Sequence, residues 1–395
     1  MSISNILPTV EDKELIFLLK NLKKHAYYKN KTINRLKTYF PDSIFLFFDS
    51  GRSALHFLAE NVLEKNSRIA LQTFTCSAVV HPFLTTNILP NYLSFDKNSF
   101  NFEYQHLINY INKKTKSVLL QYTFGIVPNS LEQILNFCRK NNLIVIEDLS
   151  HSFGNRYNNR YLGNFGDFAV ISFGKDKPIT VGSGGCLIVN DRKWQTRLKK
   201  AYQKIKQPTK TDTAKQLFYL FFMQFAKKLY HHKVIRALIY LLQKTGLLTK
   251  AVSDKEKQLY PNKIYSINKF LYPLLYSQLK KLKPLMDLRK TNTNYWNKLF
   301  NKNYKTALLK YPLSASDKHK ILEELKQNHI YLSTWYSNLL DPEGVDLRKY
   351  RLDTDKFKQE LYFAQTIINL PNLNLNLNQK KIIYSIINKY ENNRD

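Results

Sequence analysis

The sequence predicts an α/β protein: a large domain on a mostly parallel seven-stranded sheet, followed by a smaller C-terminal α/β domain. Three observations lead there. Seven short strand-like segments punctuate the first 190 residues, helical stretches lie between many of them, and beyond about residue 263 a long helix introduces a second, smaller unit. The strands are expected at Ile44–Phe48, Arg68–Gln72, Pro90–Phe95, Ser117–Tyr122, Leu143–Asp148, Asp167–Phe173 and Gly185–Asn190. Several are continuous apolar runs without polar alternation, as strands covered on both faces of a sheet should be.

The helices follow in turn. Ala54 to Leu63 comes directly after the first strand. Asn129 to Lys140 precedes the fifth, with Ser130 placed as its N-cap and Glu132 and Gln133 in its first turn. Strands alternating with helices imply parallel pairing. Ligands on such sheets bind beyond the carboxyl ends of the strands. Ser50-Gly51, Thr73 to Ser77, Tyr122 to Gly125, Asp148 to His151 and the stretch from Phe173 all follow strand ends, so five segments are expected on one rim.

Residues 195–262 break the alternation. Leu217 to Ala226 and Val234 to Leu242 are apolar runs separated by Lys227-Lys228. Each is too short for a membrane span, which needs about 20 apolar residues. Two readings remain: a helical hairpin touching a membrane surface through residues 213–248, and an insertion packed on the body or on a second subunit, which is preferred. The domains are then 1–262, carrying the insertion, and 263–395. In the second, Gln278 to Arg289 is helical with a kink expected at Pro284. Ile321 to His329 and Lys380 to Tyr390 are further helices.

Composition narrows the class. With 395 residues, 44% hydrophobic, the chain can bury a sizeable core. Cys76, Cys138 and Cys186 are odd in number and widely spaced, so neither a disulfide framework nor a metal site is expected. A reducing, cytoplasmic compartment is the simplest reading. The N-terminus lacks the basic segment and apolar core of a signal peptide. The net charge of +31 fits an anionic partner, or a composition rich in Lys and Asn. No nucleic-acid module signature is present, so no nucleic-acid partner is expected.

The chemistry gathers around Lys177. It lies between two expected strands, just before Gly182, Gly184 and Gly185, which let the backbone turn tightly near a ligand. Asp148 ends the apolar run Leu143 to Ile146 and Glu147. An amine and a carboxylate at strand tips are what a pyridoxal phosphate enzyme needs: the amine forms an imine with the cofactor aldehyde, and the carboxylate keeps the pyridine nitrogen protonated. Lys175 competes for the amine's role. His151, three residues beyond Asp148, could bond the cofactor's phenolic oxygen. Gly51-Arg52-Ser53 opens a helix after the first strand, where backbone amides bind phosphate. Ser172 could reach the same phosphate.

These segments, in this order, resemble a known family. Gly51-Arg-Ser-Ala-Leu55, Thr75-Cys-Ser-Ala78, Glu147-Asp-Leu-Ser-His151, Gly163-Asn-Phe-Gly-Asp167 and Ser172-Phe-Gly-Lys-Asp-Lys177 look like the motifs of DegT/StrS-type sugar aminotransferases. Those are fold-type I pyridoxal phosphate enzymes of the aspartate aminotransferase superfamily. The resemblance is good over residues 45–190, weaker from 263 and absent across the insertion. It implies Lys177 as the imine-forming proton carrier, Asp148 at the pyridinium nitrogen, His151 at the phenolic oxygen, and Arg52, Ser53 and Ser172 at the phosphate. Cys76 stands where the family often places an aromatic that stacks on the ring; Phe74 is an alternative. Ser183 stands where the family commonly has Glu.

The resemblance further implies transamination of a nucleotide-linked keto sugar, with glutamate as amino donor, in a homodimer. Two same-fold rivals are a sugar dehydratase, against which Lys177 argues, and a non-catalytic regulator that binds cofactor or sugar. A third rival is a basic nucleic-acid or membrane-surface binder.

Overall fold

The computed structural model describes residues 9–250, 252–332 and 334–391. Residues 1–8, on which most of the signal-peptide reading rests, lie outside the described residues.

All seven expected strands form. They are β1 (Ile44–Phe48), β2 (Arg68–Gln72), β3 (Leu89–Leu93), β4 (Thr115–Leu120), β5 (Ile144–Asp148), β6 (Phe168–Ser172) and β7 (Gly185–Val189). They make one sheet in the order β1-β7-β6-β5-β4-β2-β3. The pairings β6–β5, β5–β4, β4–β2 and β2–β3 are parallel, while β7 is antiparallel to both β6 and β1. The sheet divides the core in two with a period of two residues. Phe47, Val118, Val145, Ala169, Ile171 and Ile188 face one apolar cluster. Phe48, Leu119, Ile146, Phe168, Val170 and Leu187 face the other. Burial on both faces explains the unbroken apolar runs.

Helices α1 (Asp12–Asn21) and α2 (His25–Lys37) come first, followed by α3 (Gly51–Val62), α4 (Ser77–Thr85), α5 (Tyr104–Tyr110) and α6 (Leu131–Lys140). Ser130 precedes α6 as expected but does not cap it with its side chain. Its hydroxyl donates to Glu103 and accepts from the Tyr104 amide instead.

Residues 195–262 carry the end of α7 (Arg192–Tyr202), then α8 (Lys210–Lys228), α9 (Lys233–Lys244) and the short α10 (Asp254–Lys257). Tyr219, Leu220, Met223 and Ala226 of α8 join the large-domain core, so this stretch packs on the body. No helix among the described residues is long and apolar enough to cross a membrane. Helix α9 buries Ile239 and leaves Val234, Leu238, Tyr240 and Leu241 exposed.

Helix α11 (Tyr272–Phe300) runs 29 residues, about 43 Å at 1.5 Å per residue. It continues through Pro284 as one element, although a proline there removes one backbone hydrogen bond. Its first half packs in the large-domain core through Leu274, Leu275, Leu279, Leu282 and Met286. Trp296, near its end, packs in a third cluster with Tyr311, Ile321, Leu325, Ile368 and Ile383. That cluster is the core of the small unit. It combines the antiparallel pair β8 (Lys310–Ser314) and β9 (Ile367–Pro371) with α12 (Lys318–Gln327), α13 (Lys358–Thr366) and α14 (Leu377–Glu391).

One buried carboxylate organises the rim. Glu147 of β5 is fully buried and accepts hydrogen bonds from the amides of Gly163 (2.8 Å), Phe165 (2.7 Å) and Gly166 (2.7 Å) and from the Tyr122 hydroxyl (2.7 Å). Asn190 holds the same loop by donating to the Gly163 and Gly166 carbonyls. Asp167 accepts from the Val145 amide. The Gly-x-Phe-Gly-Asp motif is therefore a cage for the Glu147 side chain, and that cage fixes the strand end carrying Asp148.

Glu147→Gln should leave two of these donors facing an amide NH2. Each buried donor left without an acceptor costs about 1–3 kcal/mol. The variant should lose about 2–6 kcal/mol of unfolding free energy, read as a lower midpoint in urea at an unchanged slope.

Candidate active site

The β1–α3 turn is built tightly. Ser50 caps α3 by accepting from the Ser53 amide at 3.1 Å. Gly51 faces Ser172 so closely that a Cβ on it would lie 3.2 Å from the Ser172 Cβ. A Cβ on Gly185, where β7 starts, would fall 2.4 Å from the Gly51 nitrogen. Glycine is therefore required at position 185 for β7 to pass under the turn. The first turn of α3, the Ser53 hydroxyl and Ser172 thus meet in a polar cup at a helix N-terminus, the kind of place where anions bind.

Arg52 belongs to this turn, but its guanidinium pairs with Glu256 of α10, and both groups are largely buried. Glu256 also accepts from Asn262 and from the Ser253 amide. The charge expected to serve a phosphate is thus already shared with a carboxylate from the 195–262 segment. A cavity of about 830 Å³ opens between that segment and the cup, lined by Arg52, Ser53, Lys215, Lys244, Lys250 and Lys263.

Asp148, Lys177 and His151 come together at the carboxyl ends of β5 and β6. Asp148 is buried, and its Oδ1 accepts from the Ser150 amide at 2.9 Å. Residues 149–154 form turns rather than the helix that Leu149-Ser150-His151 could have begun. Burial pushes the Asp148 carboxyl above its ordinary range, while the Ser150 bonds and the Lys177 charge pull it back. Burial pushes the Lys177 amine down, and the Asp148 charge opposes this most among its neighbours. The two groups sense each other without forming a direct ion pair among the described residues. Lys175 turns elsewhere: its Nζ donates to the Thr249 carbonyl and lies 4.3 Å from the centre of the Tyr219 ring.

The tautomer of His151 follows from one bond. Its Nδ1 accepts from the Phe124 amide at 3.1 Å, and an amide can only donate. The proton of the neutral ring therefore sits on Nε2, which is 3.3 Å from the Tyr336 hydroxyl. Burial, with Lys177 and Lys310 nearby, holds the imidazole well below its usual pKa, so it stays neutral. A neutral Nε2–H is a donor suited to an anionic oxygen.

Cys76 does not supply a flat surface. It stands ahead of α4 in a two-residue parallel pairing, Thr75–Cys76 with Leu340–Asp341. Phe74 is fully buried and packs on Phe95 (4.8 Å) and Tyr336 (5.3 Å). An aromatic ring that does face the Lys177 amine is Trp335, from the small unit. Its ring stacks on His151 at 5.1 Å with an interplanar angle of 6°, and the Lys177 Nζ lies 4.7 Å from its centre. Phe74, Tyr122 and Phe124 all hold positive φ (62°, 51° and 58°). Bulky residues there cost about 1–2 kcal/mol each, strain that gathers at functional rims.

Several site residues escape sequence reasoning. Trp335, Tyr336, Asp341 and Glu256 carry no local signal. Lys310 does carry one: a lysine in the apolar run Leu308-Leu309-Lys310-Tyr311-Pro312-Leu313.

A buried acid and a buried amine on one rim, with the first turn of α3 close by, are the donor set that the ring nitrogen, aldehyde and phosphate of pyridoxal phosphate call for. The chain belongs to the DegT/DnrJ/EryC1/StrS aminotransferase family, whose model matches residues 28–384. That match takes in residues 195–262, so the likeness reaches beyond the motif-bearing stretch. The chain is 31% identical over 144 residues to the GDP-perosamine synthase of Escherichia coli O157:H7, 36% of this chain and 39% of that protein. It is 24% identical over 354 residues to the UDP-4-amino-4,6-dideoxy-N-acetyl-beta-L-altrosamine transaminase of Helicobacter pylori, 88% of this chain and 85% of that one. The fold is shared with Helicobacter pylori PseC, described as an aminotransferase involved in the biosynthesis of pseudoaminic acid (TM-score 0.70, 20% identity, 99% and 100% coverage). It is also shared with the Escherichia coli GDP-4-keto-6-deoxy-D-mannose-3-dehydratase (TM-score 0.69, 16% identity, 98% and 100% coverage).

Because the fold holds His151 neutral while the unfolded chain protonates it near pH 6.5, unfolding takes up a proton below that pH and stability falls as pH drops. His81, pushed down to about 4 by burial, adds to the same slope. In NMR titrations, His151 should show no protonation between pH 8 and pH 5. His151→Ala should lose about 1–3 kcal/mol by leaving the Phe124 amide without an acceptor.

Proposed function

We propose that this protein is a pyridoxal phosphate-dependent aminotransferase. Its substrate is a keto sugar carried on a nucleotide, its amino donor is glutamate, and its product is an amino sugar. The observation that carries the reading is the buried placement of Lys177 and Asp148 on one rim beside the α3 cup. Family membership supports it. So do the names of two relatives, one a synthase for a GDP-linked sugar and one a transaminase for a UDP-linked sugar. The shared stretch covers less than half of the perosamine synthase, so the sugar and the nucleotide are left at class level.

Bound pyridoxal phosphate supplies an aldehyde that takes up an amino group and a ring that stores an electron pair. The chain's residues do the rest. Lys177 would hold the cofactor through its aldehyde, and its Nζ would carry a proton between the donor's Cα and the cofactor's C4′. Burial lowers the amine's pKa and so raises its neutral, basic fraction. Asp148 sets its charge against the pyridine nitrogen. His151 directs Nε2–H at the phenolic oxygen, and the α3 amides, Ser53 and Ser172 hold the phosphate. Basic residues around the cavity suit the substrate's diphosphate. A cytoplasmic homodimer belongs to this reading, since family sites draw groups from two subunits.

Purified with pyridoxal phosphate, the protein should be yellow, and borohydride should fix the label on Lys177. Glutamate should bleach the colour. Lys177→Arg should slow that half-reaction about 100- to 10,000-fold. A yellow protein that no amino acid bleaches would instead point to a non-catalytic regulator, and a label on Lys175 would overturn the assignment.

A further inference from the structure

Helix α9 packs on the body by one face only. Ile239 is buried, and Ile235 and Leu242 pack beside the large-domain core. Arg236, one turn from Ile239, anchors the same side. Its guanidinium donates to the Tyr230 and His231 carbonyls at 3.1 and 2.9 Å and to the Tyr331 hydroxyl at 3.0 Å. These contacts set the rotation of the helix about its own axis and turn the opposite face outward.

That outward face is apolar. Val234, Ala237, Leu238 and Leu241 recur at helical spacing and make one stripe. Val234 is 76% exposed, Leu238 38% and Leu241 54%. A helix face meant for water is ordinarily polar. Lys233, Tyr240 and Lys244 run along one edge of the stripe and are exposed too.

Charge and length select what can cover this face. Between Asp212 and Asp254 the chain carries seven basic residues and no acidic one, in a protein of net charge +31. The complementary surface is therefore anionic as well as apolar. At 12 residues, about 18 Å, α9 can lie along a bilayer but not cross it. An apolar stripe edged by lysines and a tyrosine seats a helix at the boundary between head groups and acyl chains. A second copy of the chain is the poorer match. Paired across a two-fold axis, the stripe meets itself. Lys233 and Lys244 would then approach the same lysines of the other copy, with no acid in this segment to answer them.

We propose that α9 docks the protein on an anionic lipid bilayer. Val234, Leu238 and Leu241 enter the outermost acyl region, and Lys233 stays among the head groups. The attachment is peripheral and salt-sensitive. It is independent of the aminotransferase reading, since the stripe contains none of the residues assigned to the active site.

The test uses the full-length holoenzyme with vesicles of phosphatidylcholine, alone or with about one-third phosphatidylglycerol. The wild type should co-sediment with the anionic vesicles about 10-fold or more tightly than with the neutral ones. Most of that binding should be lost between about 0.1 and 0.5 M salt. Leu238→Gln/Leu241→Gln keeps the charge and the helix propensity. It should bind the anionic vesicles about 10-fold more weakly and keep the oligomeric size of the wild type in analytical ultracentrifugation. Lys233→Gln should weaken binding about fivefold, the loss for one lysine at an anionic surface. Lys244 also borders the cavity beside α3 and is left unaltered. A wild type that binds neither vesicle overturns the inference. So does a double variant that binds as the wild type does, because the attraction would then be bulk charge alone. A double variant of smaller oligomeric size assigns the stripe to a second copy and overturns it as well.

Discussion

The site depends on Glu147, a carboxylate that takes no part in the proposed chemistry. A buried charge without partners would destabilise the fold, and here it is matched by three amides and a hydroxyl. Satisfying it forces residues 163–166 to wrap round the side chain, which draws that loop against β5. Asp148, one residue on, then has no freedom to shift along its strand. Tyr122, the fourth donor, is drawn in from the end of β4 with a positive φ of 51°. The next residues carry the Phe124 amide to His151. Placement of the acid, the imidazole and the strained rim thus follows from one requirement for hydrogen bonds.

Much of this was legible in the sequence, for identifiable reasons. The seven strands read correctly because a sheet covered on both faces demands continuous apolar segments. The ends of five of them shifted by one or two residues, as at Thr115 and Leu89. The antiparallel turn of β7 was not legible. It follows from the tight Gly182–Gly185 reversal, and a run of glycines announces a turn without giving its direction. The sequence could set Lys177, Asp148, His151, Gly51, Ser53 and Ser172 on one edge because each ends or follows a strand; the roles given to them are proposals. The residues that were missed approach that edge from elsewhere. Trp335 and Lys310 arrive from the small unit, and Glu256 arrives from the helical segment. Contacts at such separations leave no periodicity to read. Arg52 shows the converse: its position was right, but the partner of its charge lay about 200 residues downstream.

Electrostatically the rim alternates buried acids with buried amines. Asp148 and Asp341 are pushed upward by burial, the latter to about 6, while Lys177 and Lys310 are pushed downward. Burial thus narrows the gap between the acids and the amines of this rim. The aromatic plate of Trp335 and His151 adds a surface that excludes water without adding charge.

Helix α11 has a mechanical consequence. A rod about 43 Å long is anchored in one core through Leu274, Leu275, Leu279 and Leu282 and in another through Trp296. Swinging the small unit wide of the sheet would pull one end of the rod from its socket. The exception is a bend at Pro284, where the Lys280 carbonyl lacks the amide that would otherwise bind it. Separation of the two cores is thereby held to small displacements, as for a door whose frame stays rigid.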